Sequence, residues 1–259
     1  MQTATEQTIP ALARELRSQS KVGILVSGGC DSEVLLRAAA DVLGSANTVA
    51  FNAVTPFIAD YYTEIVKTTA RELNIRLIQV ELNPLDIKGI TANTPERCYL
   101  CKKAIYSTIK AAAEKQSITI LADGTNLDDT GEHRPGLKAA EELDIQHPFK
   151  NAEMKKIDIR ELGRQLGMTD PDRPSDSCLA TRIPEYTPIT AKTLSLISKI
   201  EQSLRPHAKG RLRARVSETQ ITLEYQTTDR ELVEARRQEL QTIAGNNMCT
   251  IIFMKTPNL

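Results

Sequence analysis

The chain has 259 residues, 41% of them hydrophobic and 25% charged, with 33 basic and 33 acidic side chains in balance. That composition excludes a disordered chain and a domain too small to hold a core without staples, and its neutral balance gives no bulk attraction to nucleic acid or anionic membrane. No apolar run approaches the roughly 18–20 residues of a bilayer span, and the first residues lack the apolar stretch of a secretory signal, so a cytoplasmic chain with free thiols is expected.

In chain order, residues 1–20 read as a leader helix with Leu12 and Leu16 on one face. KVGILVS at 21–27 is a short apolar run closed by Gly28 and Gly29, the pattern of a buried strand. A helix over 32–43, a strand over 48–55, a helix over 58–74 and a strand over 75–82 follow. A helix is then predicted over 101–116, a strand over 118–124 and a helix over 154–167. Strand and helix alternating at this spacing predict an α/β fold with a mostly parallel sheet, whose strand ends line up along one edge where a ligand would sit. Residues 169–190 carry four prolines and read as a loop-rich boundary. Beyond them come a helix with a possible start at Thr190, a strand-like run over 211–225, a helix over 231–245 and a β-rich end at 249–254. The domains expected are 1–185, an α/β nucleotide-binding domain, and 186–259, a small α+β domain.

The sharpest local feature is Ser27-Gly28-Gly29-Cys30-Asp31-Ser32 between a strand and a helix. Glycines admit turns closed to other residues and let a phosphate approach the backbone. The helix start that follows offers unpaired N–H groups. Ser27 and Ser32 add hydroxyls, and Asp31 is placed to hold a divalent ion or to shape the loop. An ordinary helix cap with a tight turn is the plain alternative. The hexapeptide is neither a Walker A loop nor a dinucleotide fingerprint.

Cys98 and Cys101 form a C-x-x-C at the start of a helix, and Cys178 lies in the polar, proline-rich stretch. The pair fits a redox dithiol, half of a metal site or simple packing. With Cys178 as third ligand the set fits an iron–sulfur cluster whose fourth iron is open; four cysteines would suit a closed structural site better. Cys30 and Cys249 fit packing.

The hexapeptide resembles the SGGxDS loop of the PP-loop ATP pyrophosphatases, which cleave ATP between its α and β phosphates and place AMP on a substrate oxygen. With NTPERCYLCKKAIY at 93–106, ADGTNLDDTGEHRPGLKAAEEL at 122–143 and PDRPSDSCLATRIP at 171–184, the chain resembles the LarE family of ATP-dependent sulfur transferases. These make the nickel-pincer nucleotide cofactor of lactate racemase. The resemblance implies a PP-loop fold, ATP with Mg²⁺, and conversion of pyridinium-3,5-dicarboxylic acid mononucleotide carboxylates to thiocarboxylates through an acyl adenylate. In the sacrificial version the cysteine matching Cys178 donates its sulfur and becomes dehydroalanine. Cys98 and Cys101 depart from that single-cysteine pattern. They resemble instead a three-cysteine subset in which a [4Fe–4S] cluster carries sulfur from an exogenous sulfide source, and that route is favoured here.

Asp123, Gly124, Thr125 and Asn126 end another strand at the edge where the first loop should lie and are candidate nucleotide or substrate contacts, with an Asx-type turn as the plain reading, and Arg134 is an anion-binding candidate because a guanidinium makes fixed bidentate contacts. Asp128 and Asp129 are further candidates for Mg²⁺. Arg173 and Arg182 are placed to bind a phosphate or to favour a thiolate. Glu201 and Glu224 match the family's divalent-ion carboxylates, and Arg213 and Arg215 its phosphate-binding pair; a surface carboxylate and a solvated basic strand face are the plain readings. A homo-oligomer, often a hexamer, and a downstream nickel-inserting maturation protein are also implied. The runners-up are a tRNA thiolase, disfavoured by the balanced charge, and a non-enzymatic nucleotide sensor.

Overall fold

The structure is a computed structural model that describes residues 4–131 and 135–257. Its secondary structure is α/β, as expected. The first compact unit comprises residues 1–54, 62–82 and 98–172. It is built on strands β1 (Val22–Leu25), β2 (Thr48–Val54), β3 (Arg76–Glu81) and β4 (Leu121–Ala122), in the order β3-β2-β1-β4. Every pairing among them is parallel. All four residues of β1 are buried, which is why its sequence shows no polar alternation.

Helix α1 (Ala4–Arg17) sets Leu12 and Leu16 into the same buried cluster as Val34, Leu35 and Leu36 of α2 (Cys30–Leu43). These leucines are spaced to share one helix face, so the amphipathic pattern is a packing pattern. Helices α3 (Asp60–Glu72), α4 (Arg97–Glu114), α5 (Pro135–Glu142), α6 (Pro148–Asn151) and α7 (Lys156–Gln165) complete the run before residue 170.

Three elements differ from the sequence reading, one of them the four-residue α6, which was not expected. The strand expected over 118–124 shrinks to the two residues of β4, which pair with Gly23 and Ile24 of β1; on the other edge the Gln146 amide donates to the Leu121 carbonyl at 2.8 Å and the Asp123 amide to the Gln146 carbonyl at 3.0 Å. Asp123 then leaves the ladder and opens a loop. Helix α5 was not among the expected elements, although proline at its first position and buried Ala139 and Ala140 suit a short helix packed on a core.

The second unit comprises residues 55–61, 83–97 and 173–259. Its sheet, β5 (Leu212–Ser217), β6 (Gln220–Gln226) and β7 (Thr250–Thr256), is antiparallel between β5 and β6 and parallel between β6 and β7. Helix α8 (Ala191–Leu204) begins at Thr190, whose hydroxyl accepts from the Thr193 amide at 3.1 Å, the expected start. It buries Leu194, Ile197, Ile200 and Leu204, and α9 (Arg230–Gly245) precedes β7. Among the described residues no helix is long and apolar enough to cross a membrane.

Candidate functional site

In the first unit the strand order reverses at β1, with β2 on one side and β4 on the other. The loops leaving the carboxyl ends of β1 and β4 therefore meet at a topological switch point, where α/β sheets leave a crevice. Gly28 turns the first loop at φ +83°. A Cβ there would run into the Tyr62 carbonyl and lie 2.7 Å from Tyr62 Cβ, so only glycine fits. Gly29 is the N-cap of α2 and no side chain caps that helix start. The Ser32 hydroxyl bonds the Gly29 carbonyl at 3.0 Å and lies 3.3 Å from the Ser27 hydroxyl, which pins the turn closed. Cys30 is buried and donates to the Pro171 carbonyl at 3.2 Å, so its thiol packs behind the loop.

The second loop, Asp123-Gly124-Thr125-Asn126, presses on the first. A Cβ on Gly124 would meet the Ser32 amide nitrogen at 2.9 Å. Asn126 donates through Nδ2 to Asp31 Oδ2 at 3.0 Å, and its amide donates to Asp129 Oδ2 at 3.2 Å. Asn126 is fully buried, yet its Oδ1 has no hydrogen-bond partner among the described residues. Burial, and then the nearby Asp129, pushes the Asp31 carboxyl above its ordinary value, with Lys156 and Arg160 opposing. Two neighbouring carboxylates, one of them with its charge disfavoured by burial and by the other, and an amide oxygen between their hydrogen bonds form a donor set that suits a hard divalent cation. Asp128 is spent differently: it accepts from the Lys156 amide at 2.9 Å, at the start of α7.

Asp123 is itself held from three directions. Tyr106 donates to its Oδ2 at 2.7 Å, His147 Nδ1 lies 2.8 Å from Oδ1, and the Thr125 amide donates to Oδ1 at 3.0 Å. The last contact is the Asx-type turn expected from the sequence. Burial opposes the charge on Asp123, but the His147 hydrogen bond and the Lys102 ammonium hold its carboxyl well below the usual carboxylate range. Lys102 reaches the network by donating to the Tyr106 hydroxyl at 2.8 Å. Nothing in the spacing of His147 or Tyr106 marks them as partners of Asp123, and the sequence reading missed both.

Cys98 and Cys101 sit in the first turns of α4, three apart and so on one helix face, each half-buried and in no disulfide. In the second unit Cys178 is likewise half-buried and in no disulfide, at the N-cap of a 3₁₀ turn over Leu179–Arg182. The Cys178 carbonyl accepts from the Thr181 amide at 3.0 Å and the Thr181 hydroxyl at 2.8 Å. Asn93, fully buried in the NTPERC segment, donates to the Pro184 carbonyl at 2.7 Å and accepts from Arg97.

Arg182, Glu201, Arg205 and Asp176 form a buried charge cluster: Glu201 accepts Arg182 Nε at 2.8 Å, and Asp176 accepts Arg182 at 2.7 Å and Arg205 at 2.9 Å. On β5, Leu212, Ala214 and Val216 turn inward, which leaves Arg213 and Arg215 on the opposite side. Arg215 pairs with Glu224 at 2.7 Å. Arg213 Nε is buried without a hydrogen-bond partner among the described residues, 3.9 Å from Asp176. Burial and then the Arg182 charge lower the Arg213 pKa, as expected of a cation among cations. A cleft of about 430 Å³ opens here, lined by Thr181, Arg182, Arg215, Glu224 and Met254 among others. Arg134, named from the sequence, lies outside the described residues.

No protein-family model matches the chain. It is 33% identical to an uncharacterized protein of Methanocaldococcus jannaschii over 202 residues, 78% of this chain and 76% of that one. To an uncharacterized protein of Synechocystis it is 31% identical over 201 residues, 78% of this chain and 75% of that one. It is also 30% identical over 194 residues, 75% of this chain and 70% of the relative, to the pyridinium-3,5-bisthiocarboxylic acid mononucleotide synthase of Lactiplantibacillus plantarum. Two loops meeting at a switch point, a cysteine on a fastened turn and this degree of identity lead to one placement: the chain belongs to the LarE family of sulfur transferases.

Proposed function

We propose that the protein inserts sulfur into pyridinium-3,5-dicarboxylic acid mononucleotide, activating a carboxylate of that substrate with ATP. Kinship with the synthase of Lactiplantibacillus plantarum supports the substrate and the sulfur transfer. The observation that carries the ATP step is the pair of loops at the switch point, where glycine turns and an uncapped helix start face a buried, orphaned Asn126 Oδ1. Backbone N–H groups at the start of α2, with Ser27 and Ser32, would receive phosphate oxygens. Asp31, Asn126 and Asp129 would hold Mg²⁺, which when bound draws charge off the departing pyrophosphate.

The substrate carboxylate attacks the α-phosphorus and pyrophosphate leaves; a sulfur nucleophile then adds to the acyl carbon and AMP departs, leaving a thiocarboxylate. The protein's part is to hold the two reactants in line and to place opposing charge where the leaving groups develop theirs. Arg213 and Arg215 would bind the mononucleotide phosphate, since an anion beside Arg213 would offset its burial and the repulsion of Arg182. Cys98, Cys101 and Cys178 are half-buried and in no disulfide, and three thiolates would suit a [4Fe–4S] cluster with one open iron. Such a cluster would supply sulfide and leave the chain intact.

The test is pyrophosphate release from ATP, Mg²⁺ and pyridinium-3,5-dicarboxylic acid mononucleotide under anaerobic conditions with sulfide, and the mass of the chain before and after several turnovers. Pyrophosphate and thiocarboxylate should accumulate while the chain mass stays constant. Loss of the elements of H₂S at Cys178 would replace the cluster route with the sacrificial one, and absence of pyrophosphate would remove the activation step.

A further inference from the structure

Arg182 has a fully buried side chain, and its Glu201 partner is 3% exposed. A guanidinium carries five N–H donors and no acceptor. Here Nε donates to Glu201 Oε1 at 2.8 Å, and Nη2 donates to Glu201 Oε2 at 3.0 Å and Asp176 Oδ1 at 2.7 Å. Nη1 donates to the Ser177 carbonyl at 3.1 Å, the Ser177 hydroxyl at 2.8 Å and the Thr181 hydroxyl at 3.0 Å. Every donor direction is used, so nothing is left for a substrate phosphate.

The contacts made by Nη1 all fall on the turn that carries Cys178. Thr181, which accepts from Arg182, passes its own hydroxyl proton to the Cys178 carbonyl at 2.8 Å. On the far side of the cysteine the Leu179 amide donates to the Phe57 carbonyl at 2.8 Å. The backbone is therefore fastened before and after Cys178 while the thiol itself stays half-exposed.

Glu201 is equally committed. Its Oε1 accepts from Arg182 and from the Ala214 amide at 2.8 Å, and its Oε2 accepts from Arg182 and lies 3.5 Å from Arg205. A divalent ion on these oxygens would have to displace buried cationic donors and leave them unpaired, which costs far more than a displaced water. Glu201 does not fit the divalent-ion role that the family resemblance implies.

We propose that Arg182 is a positioning residue that sets the Cys178 turn, and that Glu201 is the anchor of Arg182 and not a metal ligand. The inference rests on the reading of Cys178 as the sulfur-handling residue.

Hydrogen–deuterium exchange on the full-length protein tests it without turnover. In Thr181→Val, which preserves shape and deletes the hydroxyl linking Arg182 to Cys178, the Leu179 and Thr181 amides should exchange about tenfold faster, the order expected for one net hydrogen bond. Arg182→Lys should accelerate the same segment at least as much. Wild-type rates in Thr181→Val, or acceleration spread evenly through the second unit, would overturn the assignment. The metal arm uses Mn²⁺ and electron paramagnetic resonance: Glu201→Gln should leave Mn²⁺ binding as in the wild type, whereas a tenfold or greater loss of affinity makes Glu201 a ligand and overturns its anchor role. A wild-type protein that transfers no sulfur defeats the proposed function and leaves the exchange result intact.

Discussion

Asp123 keeps its charge inside the first unit because Tyr106, His147 and the Thr125 amide converge on its two oxygens. Its folded carboxyl lies below the ordinary unfolded value of ~3.9, the burial penalty being outweighed by His147 and Lys102. A depressed carboxylate contributes stability that is fully present above the unfolded value and is lost as pH falls through the folded one. Asp123→Asn should therefore destabilise by about 1–3 kcal/mol at neutral pH. The urea-midpoint gap between wild type and variant should hold from roughly pH 5 to 8 and shrink below about pH 4. A gap that widens towards acid would show the shift to have the opposite sign. Asp31 carries that opposite sign: burial and Asp129 raise it, so its ionised form costs stability until a cation or a proton neutralises it.

Among the elements, the helices with strong periodicity and clear starts match their sequence pattern. Helix α8 is the clearest case, since Thr190 sits where a cap is needed and the leucines and isoleucines follow at helical spacing. Thr190→Ala should lower stability by about 1 kcal/mol, measured by thermal or urea unfolding. No change would mean that the exposed start of α8 frays without cost. The short strand β4 shows the reverse case. Its apolar run would support a longer strand, but the pairing with β1 covers Leu121 and Ala122, and Gln146, twenty-four residues after Ala122, pairs along the other edge. A pairing partner of that kind has no signature in the strand's own residues.

At the scale of the whole chain, each compact unit is assembled from separated stretches, so that residues 55–61 and 83–97 group with 173–259. Proximity along the chain is therefore a poor guide to the surroundings of the site residues. The proposed three-cysteine cluster has a direct test at this scale. Cys98→Ala removes one of three protein ligands and should abolish the broad visible iron–sulfur absorption and lower bound iron and sulfide, as measured on anaerobically purified protein. Absorption retained at full occupancy would overturn the assignment.

Much of this protein is legible before folding is considered. Short apolar strands closed by glycine, amphipathic helices and a β-alternating end mark an α/β chain with a smaller α+β part, because burial on one or two faces imposes periods on the residues themselves. Gly28, Gly29 and Ser32 announce a tight turn at a helix start for the same local reason. The partners of the charged groups carry no such imprint. Asp123 with His147, Arg182 with Glu201 and Asn126 with Asp31 are joined by hydrogen bonds across 24, 19 and 95 positions. Those separations follow from how layers pack, and no periodicity in the residues encodes them.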